Sequence, residues 1–149
     1  MTATRLYRIA ALVFVLFAAG HTYGFLSLRA PSAEGRAVYD SMNTVRFEVH
    51  GRSYSYGGFY RGLGLSCTVA MLLSAFLSWH LGHLARVAPA AAGFMGWAFC
   101  LLQLPGIVFS FLYFGPPPMV FSLLVALLLA CAAWLTGRGR AQEGHGNLR

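Results

Sequence analysis

Long apolar runs alternate with short polar segments along this chain. The runs cover about residues 6–28, 60–82, 90–114 and 119–135, and each contains 17 or more residues. A helix needs roughly 20 apolar residues to cross the hydrocarbon core of a bilayer. The pattern predicts an all-α integral membrane protein, a four-helix bundle that forms a single four-span domain over residues 1–136.

The first run also has the layout of a signal peptide. Arg5 and Arg8 precede the apolar stretch, and the small residues Ala18-Ala19-Gly20 resemble a cleavage site. Hydrophobicity resumes after them at Phe25, so the run is long enough to span as one helix. We expect a retained span, with a cleaved signal peptide as the alternative.

The longest polar stretch is the loop over residues 29–59, between the first two runs. The segment Arg29–Arg61 holds five of the eleven arginines and three of the four acids. Four apolar residues in it recur at helical spacing: Val38, Met42, Val45 and Val49. This spacing predicts an amphipathic helix over about 37–50, lying on the membrane surface or over the mouth of the bundle.

The loop returns to the second span through an aromatic run, from Gly51 to Gly62. Tyrosines suit the headgroup layer, where the ring contacts hydrocarbon and the hydroxyl contacts water. The run is therefore typical of an interfacial aromatic belt. The alternative is a lid that carries ligand-binding groups, because arginine forks bind phosphate and carboxylate.

Arginines beside the spans predict the orientation in the membrane. Arg5 and Arg8 precede the first span, and Arg138 and Arg140 follow the last. Basic residues concentrate on the cytoplasmic side, so both termini are expected in the cytoplasm and the loop outside. The Arg-only basic residues and the Ala- and Gly-rich composition fit a GC-rich bacterial genome. We expect a multi-pass protein of a bacterial cytoplasmic (inner) membrane.

Composition agrees with this class. The chain is 58% hydrophobic and 10% charged, whereas a soluble domain carries about 25% charged residues. The net charge of +7 is dispersed among the polar segments, so nucleic acid is not expected as a partner. Each of the three cysteines lies in a different span and none forms a C-x-x-C pair, which gives no disulfide or metal signal.

The outer ends of the first two spans, the loop between them and the third span carry the candidate binding residues. Polar and ionisable groups at membrane depth are functional candidates by default, although His21 is also explained as a structural histidine. In the expected orientation these groups could converge in an outward pocket for a lipid, a quinone or another amphipathic ligand. The candidates are His21, Arg46, Arg52, Tyr54, Tyr60, Arg61, Ser66 and Gln103.

Small residues recur every fourth position through the second span: Gly58, Gly62, Ser66, Ala70, Ser74, Ser78 and Gly82. Such spacing lets helix backbones approach closely in a membrane. The stripe drifts by about 40° per step, so it would contact one neighbour in its outer half and another in its inner half. The alternative is a face for a homodimer or another membrane protein.

Other chemistry finds no support in the sequence. His80 and His83 share a helix face at i, i+3, but the expected topology places His21 near the opposite membrane face and no acid is nearby, so no metal site is expected. No base–nucleophile pair can be named, and no cofactor is expected. We expect a non-catalytic protein whose polar tail, residues 137–149, is disordered.

Two levels of resemblance accompany this interpretation. The layout of four spans with a long first loop resembles the small bacterial membrane proteins of the DoxX-like type. The motifs His21-Thr22-x-Gly24, Arg52-Ser53-Tyr54 and Phe59-Tyr60-x-Gly62-x-Gly64 resemble an uncharacterised bacterial four-span family. DoxX-like proteins are linked to redox and quinone-associated membrane complexes. That activity is not carried over, because the chain lacks a redox cysteine pair and a haem ligand set.

Two functions follow as hypotheses. The first is binding of an amphipathic ligand in the outward pocket. The second is an accessory or assembly subunit of a larger membrane complex, packing through the small-residue face of the second span.

Overall fold

The computed structural model describes residues 2–27 and 29–146, with side chains described as far as Arg138. The described chain contains five α-helices, one π-helical segment and one β-hairpin. The elements are α1 (Ala3–Leu26), α2 (Ala33–Thr44), β1 (Arg46–Val49), β2 (Arg52–Ser55), α3 (Tyr56–Val87), α4 (Pro89–Phe109), the π-helical segment Ser110–Phe114 and α5 (Pro116–Gly146).

Four of these helices are long and apolar enough to cross a membrane. They are α1, α3, α4 with its π-helical extension, and α5 as far as Arg138. The 24 residues of α1 extend about 36 Å at 1.5 Å per residue, more than the roughly 30 Å hydrocarbon core. Each predicted run overlaps one of these helices, so the all-α, four-span prediction is confirmed.

Glycine and proline separate the last two spans. Gly115 follows the π-helical segment with a φ of 82°, in the left-handed region that glycine adopts at little cost. Its N–H donates to the carbonyl of Ser110 at 2.8 Å. Pro116–Pro118 then form the first turn of α5, where backbone N–H groups have no partner within a helix.

The chain separates into two compact units. The first contains the residues up to Phe17 and those from Met71 onward, and the second is Ala18–Ala70. The second unit therefore includes the end of α1, all of α2, the hairpin and the first half of α3. A single domain over 1–136 stays a prediction, since α1 and α3 run through both units.

The core of the first unit is built by α1, α4 and α5. Tyr7, Val125 and Leu129 are fully buried in it. The Tyr7 hydroxyl donates to the carbonyl of Ala92 at 3.1 Å. This bond satisfies a polar group that would otherwise destabilise an apolar interior.

The C-terminal half of α3 joins the same core through small residues. Ser78 is fully buried, and a Cβ at Gly82 would lie 3.2 Å from the carbonyl oxygen of Thr4 on α1. That approach of two helix backbones is the geometry that small residues at four-residue spacing permit.

The loop helix is shorter and begins earlier than the sequence predicts. α2 covers Ala33–Thr44, and the Ser32 hydroxyl caps it by accepting the N–H of Gly35 at 3.0 Å. The predicted helix over about 37–50 is wrong beyond Thr44, because Arg46–Val49 forms a strand. Val49 continues the helical spacing of the sequence but lies in that strand.

A two-residue turn explains why the helix stops. β1 pairs antiparallel with β2, with Phe47 opposite Tyr54 and Val49 opposite Arg52. His50 and Gly51 connect them with φ values of 50° and 74°. Two positive φ values in succession define the type I′ turn, whose twist matches that of paired strands. Aromatic and β-branched residues on one face of the hairpin favour this strand pairing.

α5 continues beyond the fourth span. Its backbone is helical through Gly146, so the prediction of a disordered tail is wrong for 137–146, and 147–149 lie outside the described residues. The span has already formed the helix, and each further residue that becomes helical then adds one backbone hydrogen bond. The Arg138 guanidinium lies 3.8 Å from the ring centroid of Trp134, a cation–π contact at the end of the span.

Candidate ligand-binding site

Seven of the eight predicted binding residues lie in the second unit. The exception is Gln103, which lies on α4 in the first unit. Its side-chain N–H donates to the carbonyl of Phe99 one turn earlier, at 3.3 Å. The Gln103 side chain is therefore bonded within its own helix, and we do not assign it to the site.

His21 ties α1 to α3 within the second unit. Its Nε2 lies 3.1 Å from the carbonyl oxygen of Gly64, and a carbonyl only accepts, so Nε2 is the donor. The imidazole also stacks on Phe25 at 5.8 Å between ring centroids, and Phe25 contacts Tyr60 at 5.2 Å. Gly64 makes the contact possible, because a Cβ there would overlap the Phe25 ring.

A second polar link joins the next residue of α1 to the residue of α3 that lies one turn after Gly64. The hydroxyls of Thr22 and Thr68 are 2.8 Å apart, and the Thr22 hydroxyl is also 2.8 Å from the carbonyl of Ala18. Such bonds between helices stabilise a membrane protein by about 0.6 kcal/mol each on average. They position α1 against α3 in this unit.

Arg61 fastens α2 to the start of α3. Its Nη2 donates to the side-chain oxygen of Asn43 at 3.2 Å, and its Nε donates to the carbonyl of Gly57 at 3.4 Å. The Asn43 amide in turn donates to the carbonyl of Tyr39 at 2.8 Å. Gly57 is buried against Asn43, and a Cβ would meet the Asn43 side chain. Arg61 thus acts within the fold as a positioning residue.

Arg46 and Ser66 also have hydrogen-bond partners inside the unit. Arg46 bridges the hairpin, with Nε donating to the Ser53 hydroxyl at 2.9 Å and Nη2 to the Ser53 carbonyl at 3.3 Å. The Ser66 hydroxyl donates to the carbonyl of Gly62 at 2.9 Å. Arg52 is exposed on β2, opposite Val49.

Tyr54 belongs to an aromatic cluster where the hairpin meets α3. Phe47 is its centre, with ring centroids 6.1 Å from Tyr54, 4.9 Å from Tyr56 and 6.0 Å from Phe59. The last three rings remain about half exposed. The cluster lies at the beginning of a helix able to span, where the sequence predicts an interfacial belt, and that belt stays a prediction.

An apolar groove of about 390 Å³ lies between α2 and the first residue of α3. Its volume falls in the range of small-molecule sites, about 300–1,000 Å³. We call it the apolar groove. Its lining residues are Ala37, Val38, Ser41, Met42, Val45 and Tyr56. Val38 is 62% exposed and Val45 is 52% exposed, so the apolar side of α2 is open instead of packed.

A second groove of about 290 Å³ has charged walls. We call it the polar groove. Its lining residues are Arg29, Ala30, Arg36, Tyr39 and Asp40. Neither groove is lined by His21, Tyr60 or Arg61, the residues expected to share an outward pocket.

The two grooves lie on opposite sides of α2. A helix turns about 100° per residue, so Val38 and Met42 lie roughly 180° from Arg36 and Asp40. Asn43 shares the side of Arg36 and Asp40, and it is bonded to α3 through Arg61. The predicted apolar stripe therefore forms one side of α2. The opposite, polar side of α2 contacts α3 through Asn43.

The small-residue stripe of α3 changes character along its length. Ser78 and Gly82 are buried in the first unit, whereas Gly58, Gly62 and Ser66 are exposed in the second. A Cβ at Gly62 would meet nothing within 4 Å. The N-terminal part of the stripe is therefore open to lipid or to another helix.

Metal ligands do not cluster in the described part of the chain. No group of three His, Cys, Asp or Glu side chains there is close enough to hold an ion. His83 instead contacts Arg86, with 3.4 Å between Nδ1 and Nη2. Cys67, Cys100 and Cys131 are free.

Sequence reasoning missed most residues of the two grooves. Val38, Met42 and Val45 were found as an apolar stripe, but Tyr56 became their neighbour only through the hairpin. Arg36, Tyr39 and Asp40 were spaced at i, i+3 and i+4, a signal that they share a helix face.

The fold defines the class as an all-α protein with four helices able to cross a membrane. No protein-family model matches the chain, and neither curated proteins nor solved structures show significant similarity to it. Any narrower assignment therefore depends on the grooves of the second unit.

Proposed function

We propose that this protein is a non-catalytic membrane protein that binds an amphipathic molecule, a lipid or a quinone, through the apolar groove. The observation that supports this proposal most is the open apolar lining beside Tyr56. Tyr56 is the first residue of α3, so the groove opens where the span meets the headgroup layer. An acyl or isoprenoid chain would remove Val38, Met42 and Val45 from water, gaining about 25 cal/mol per Å² of apolar surface.

The polar residues support a binding role over a catalytic one. His21, Arg61 and Arg46 are engaged with Gly64, Asn43 and Ser53. These bonds join α1 to α3, α2 to α3 and β1 to β2, and so position the walls of the apolar groove. In this proposal the apolar tail is recognised by the groove, and the Tyr56 hydroxyl is available to the polar end. The Ser41 hydroxyl donates to the carbonyl of Ala37 at 2.8 Å and can only accept from the ligand.

The arginines flanking the spans support the proposed location. We place the protein in a bacterial inner membrane, with both termini in the cytoplasm and the grooves outside.

Native mass spectrometry of the full-length protein in a mild detergent tests the proposed function. The wild type should carry a small amphipathic molecule. Val38→Asn should reduce its occupancy about tenfold, because a polar amide in an apolar site costs roughly 1–3 kcal/mol.

Val49→Asn is the matched control, since Val49 is a similarly exposed valine of the same segment outside the groove. It should retain the bound molecule. A wild type without any bound molecule, or equal loss in both variants, would contradict the proposal.

A second candidate function is an accessory subunit of a larger membrane complex. The exposed N-terminal part of the α3 stripe favours this role, because Gly62 leaves room for the backbone of another helix to approach closely. Size determination after gentle extraction distinguishes the two: a stoichiometric partner or homodimer supports this role, and a stable monomer opposes it.

A further inference from the structure

The polar groove combines charges of both signs that form no ion pair within the described residues. Arg36 donates once, from Nη1 to the carbonyl of Pro31 at 3.4 Å, which leaves most of its five N–H donors available. Within the described residues, neither Arg29 nor Arg36 forms an ion pair, and the Asp40 carboxylate accepts no hydrogen bond. Arg36 and Asp40 are one helical turn apart yet are not paired.

The groove begins close to the end of a helix that is able to span a membrane. Arg29 follows the last residue of α1, Leu26, by three positions, and α1 is one of the four helices able to span. An arginine at that distance from a span lies among lipid headgroups and their phosphates.

The charge pattern selects a particular class of headgroup. Two guanidinium groups bind a phosphate well, since each offers a planar fork of donors. A purely anionic ligand would be repelled by Asp40, whereas an ammonium group would pair with that carboxylate and with the face of Tyr39. The lining is thus complementary to a phosphate joined to an ammonium.

We propose that the polar groove binds the headgroup of a phosphate–ammonium phospholipid such as phosphatidylethanolamine. Arg29 and Arg36 hold the phosphate, and Asp40 with Tyr39 holds the ammonium. This site lies on the opposite side of α2 from the apolar groove, so the inference does not depend on the proposed function.

Lipid titration of the delipidated full-length protein, followed by native mass spectrometry, tests this site. Phosphatidylethanolamine should bind more tightly than phosphatidylglycerol, which lacks the ammonium. Arg29→Gln and Arg36→Gln should each weaken binding of both lipids roughly fivefold, through loss of a charge-assisted bond. Asp40→Asn should remove the preference for phosphatidylethanolamine without weakening phosphatidylglycerol.

Arg52→Gln is the matched control, because Arg52 is an exposed arginine of the same segment outside the groove. Three results would overturn the inference: equal binding of the two lipids by the wild type, an unchanged preference in Asp40→Asn, or an equal effect of Arg52→Gln. Displacement of the lipid by an equal concentration of soluble phosphoethanolamine would overturn the lipid as the occupant. Loss of the molecule in the apolar groove would leave all these outcomes unaffected.

Discussion

Most of the predicted binding residues donate a hydrogen bond to a backbone carbonyl of the chain itself. The sequence identifies His21 as a polar residue at membrane depth. Such a residue needs a partner, because an unpaired polar group costs free energy in the membrane. The sequence could not identify Gly64 as the partner. Gly64 lies between two stripe positions, and the bond depends on how α1 and α3 are rotated toward each other.

Gly96 provides a residue-scale prediction in the first unit. A Cβ at Gly96 would overlap the Tyr7 hydroxyl and lie 3.0 Å from the Cβ of Ala133, and Tyr7 is fully buried and cannot swing away. Gly96→Ala should therefore destabilise the protein by about 1–3 kcal/mol. Thermal unfolding in detergent measures the change.

Two further variants sharpen this prediction. Gly20→Ala is the control, because a Cβ at Gly20 meets nothing within 4 Å and alanine favours helix. Tyr7→Phe should restore part of the stability lost in Gly96→Ala, since the overlapping atom is gone. Equal melting of the Gly96→Ala and Gly20→Ala proteins would show that the contact is not limiting.

At the scale of elements, the sequence predicts the four long helices better than it predicts where α2 ends. The four spans follow from run length alone, because only a helix satisfies its own backbone in lipid. The end of α2 did not follow, since Val45 and Val49 fit the helical period as well as a strand. The deciding feature was His50-Gly51, and a His-Gly pair is a weaker turn signal than Asn-Gly.

The N-terminus of α2 gives an acid-sensitivity prediction. The backbone N–H of Glu34 and the Ser32 hydroxyl both donate to the Glu34 carboxylate. These bonds lower the pKa of Glu34 below its ordinary 4.5. A lowered pKa in the folded state adds stability at pH values above 4.5, and that stability is lost as the pH falls through the lowered value. The first turn of α2 should therefore loosen below pH 4.5.

Hydrogen exchange of the amides of this turn, corrected for intrinsic rates, measures the effect. Glu34→Gln removes the titrating group, so its protection should be lower at neutral pH and less sensitive to acid. Identical acid profiles for the two proteins would refute the role of Glu34.

On the scale of the whole molecule, hydrophobic pattern predicted the class, and tertiary contacts determined the site. Arg61 and Tyr60 were expected to line a pocket, but Arg61 holds α2 to α3 and leaves the grooves to other residues. The division into two units could not be predicted, because α1 and α3 are continuous apolar runs across it. The central claim is that the open apolar side of α2 receives a small amphipathic molecule.

Photo-crosslinking in intact membranes tests that claim most directly. A benzophenone amino acid at Met42, inside the apolar groove, is compared with the same group at Val49 outside it. The account predicts that Met42 becomes joined to a lipid or quinone, identified by the mass increase, and that Val49 does so far less. A crosslink from Met42 only to another protein, or equal lipid labelling at the two positions, would contradict it.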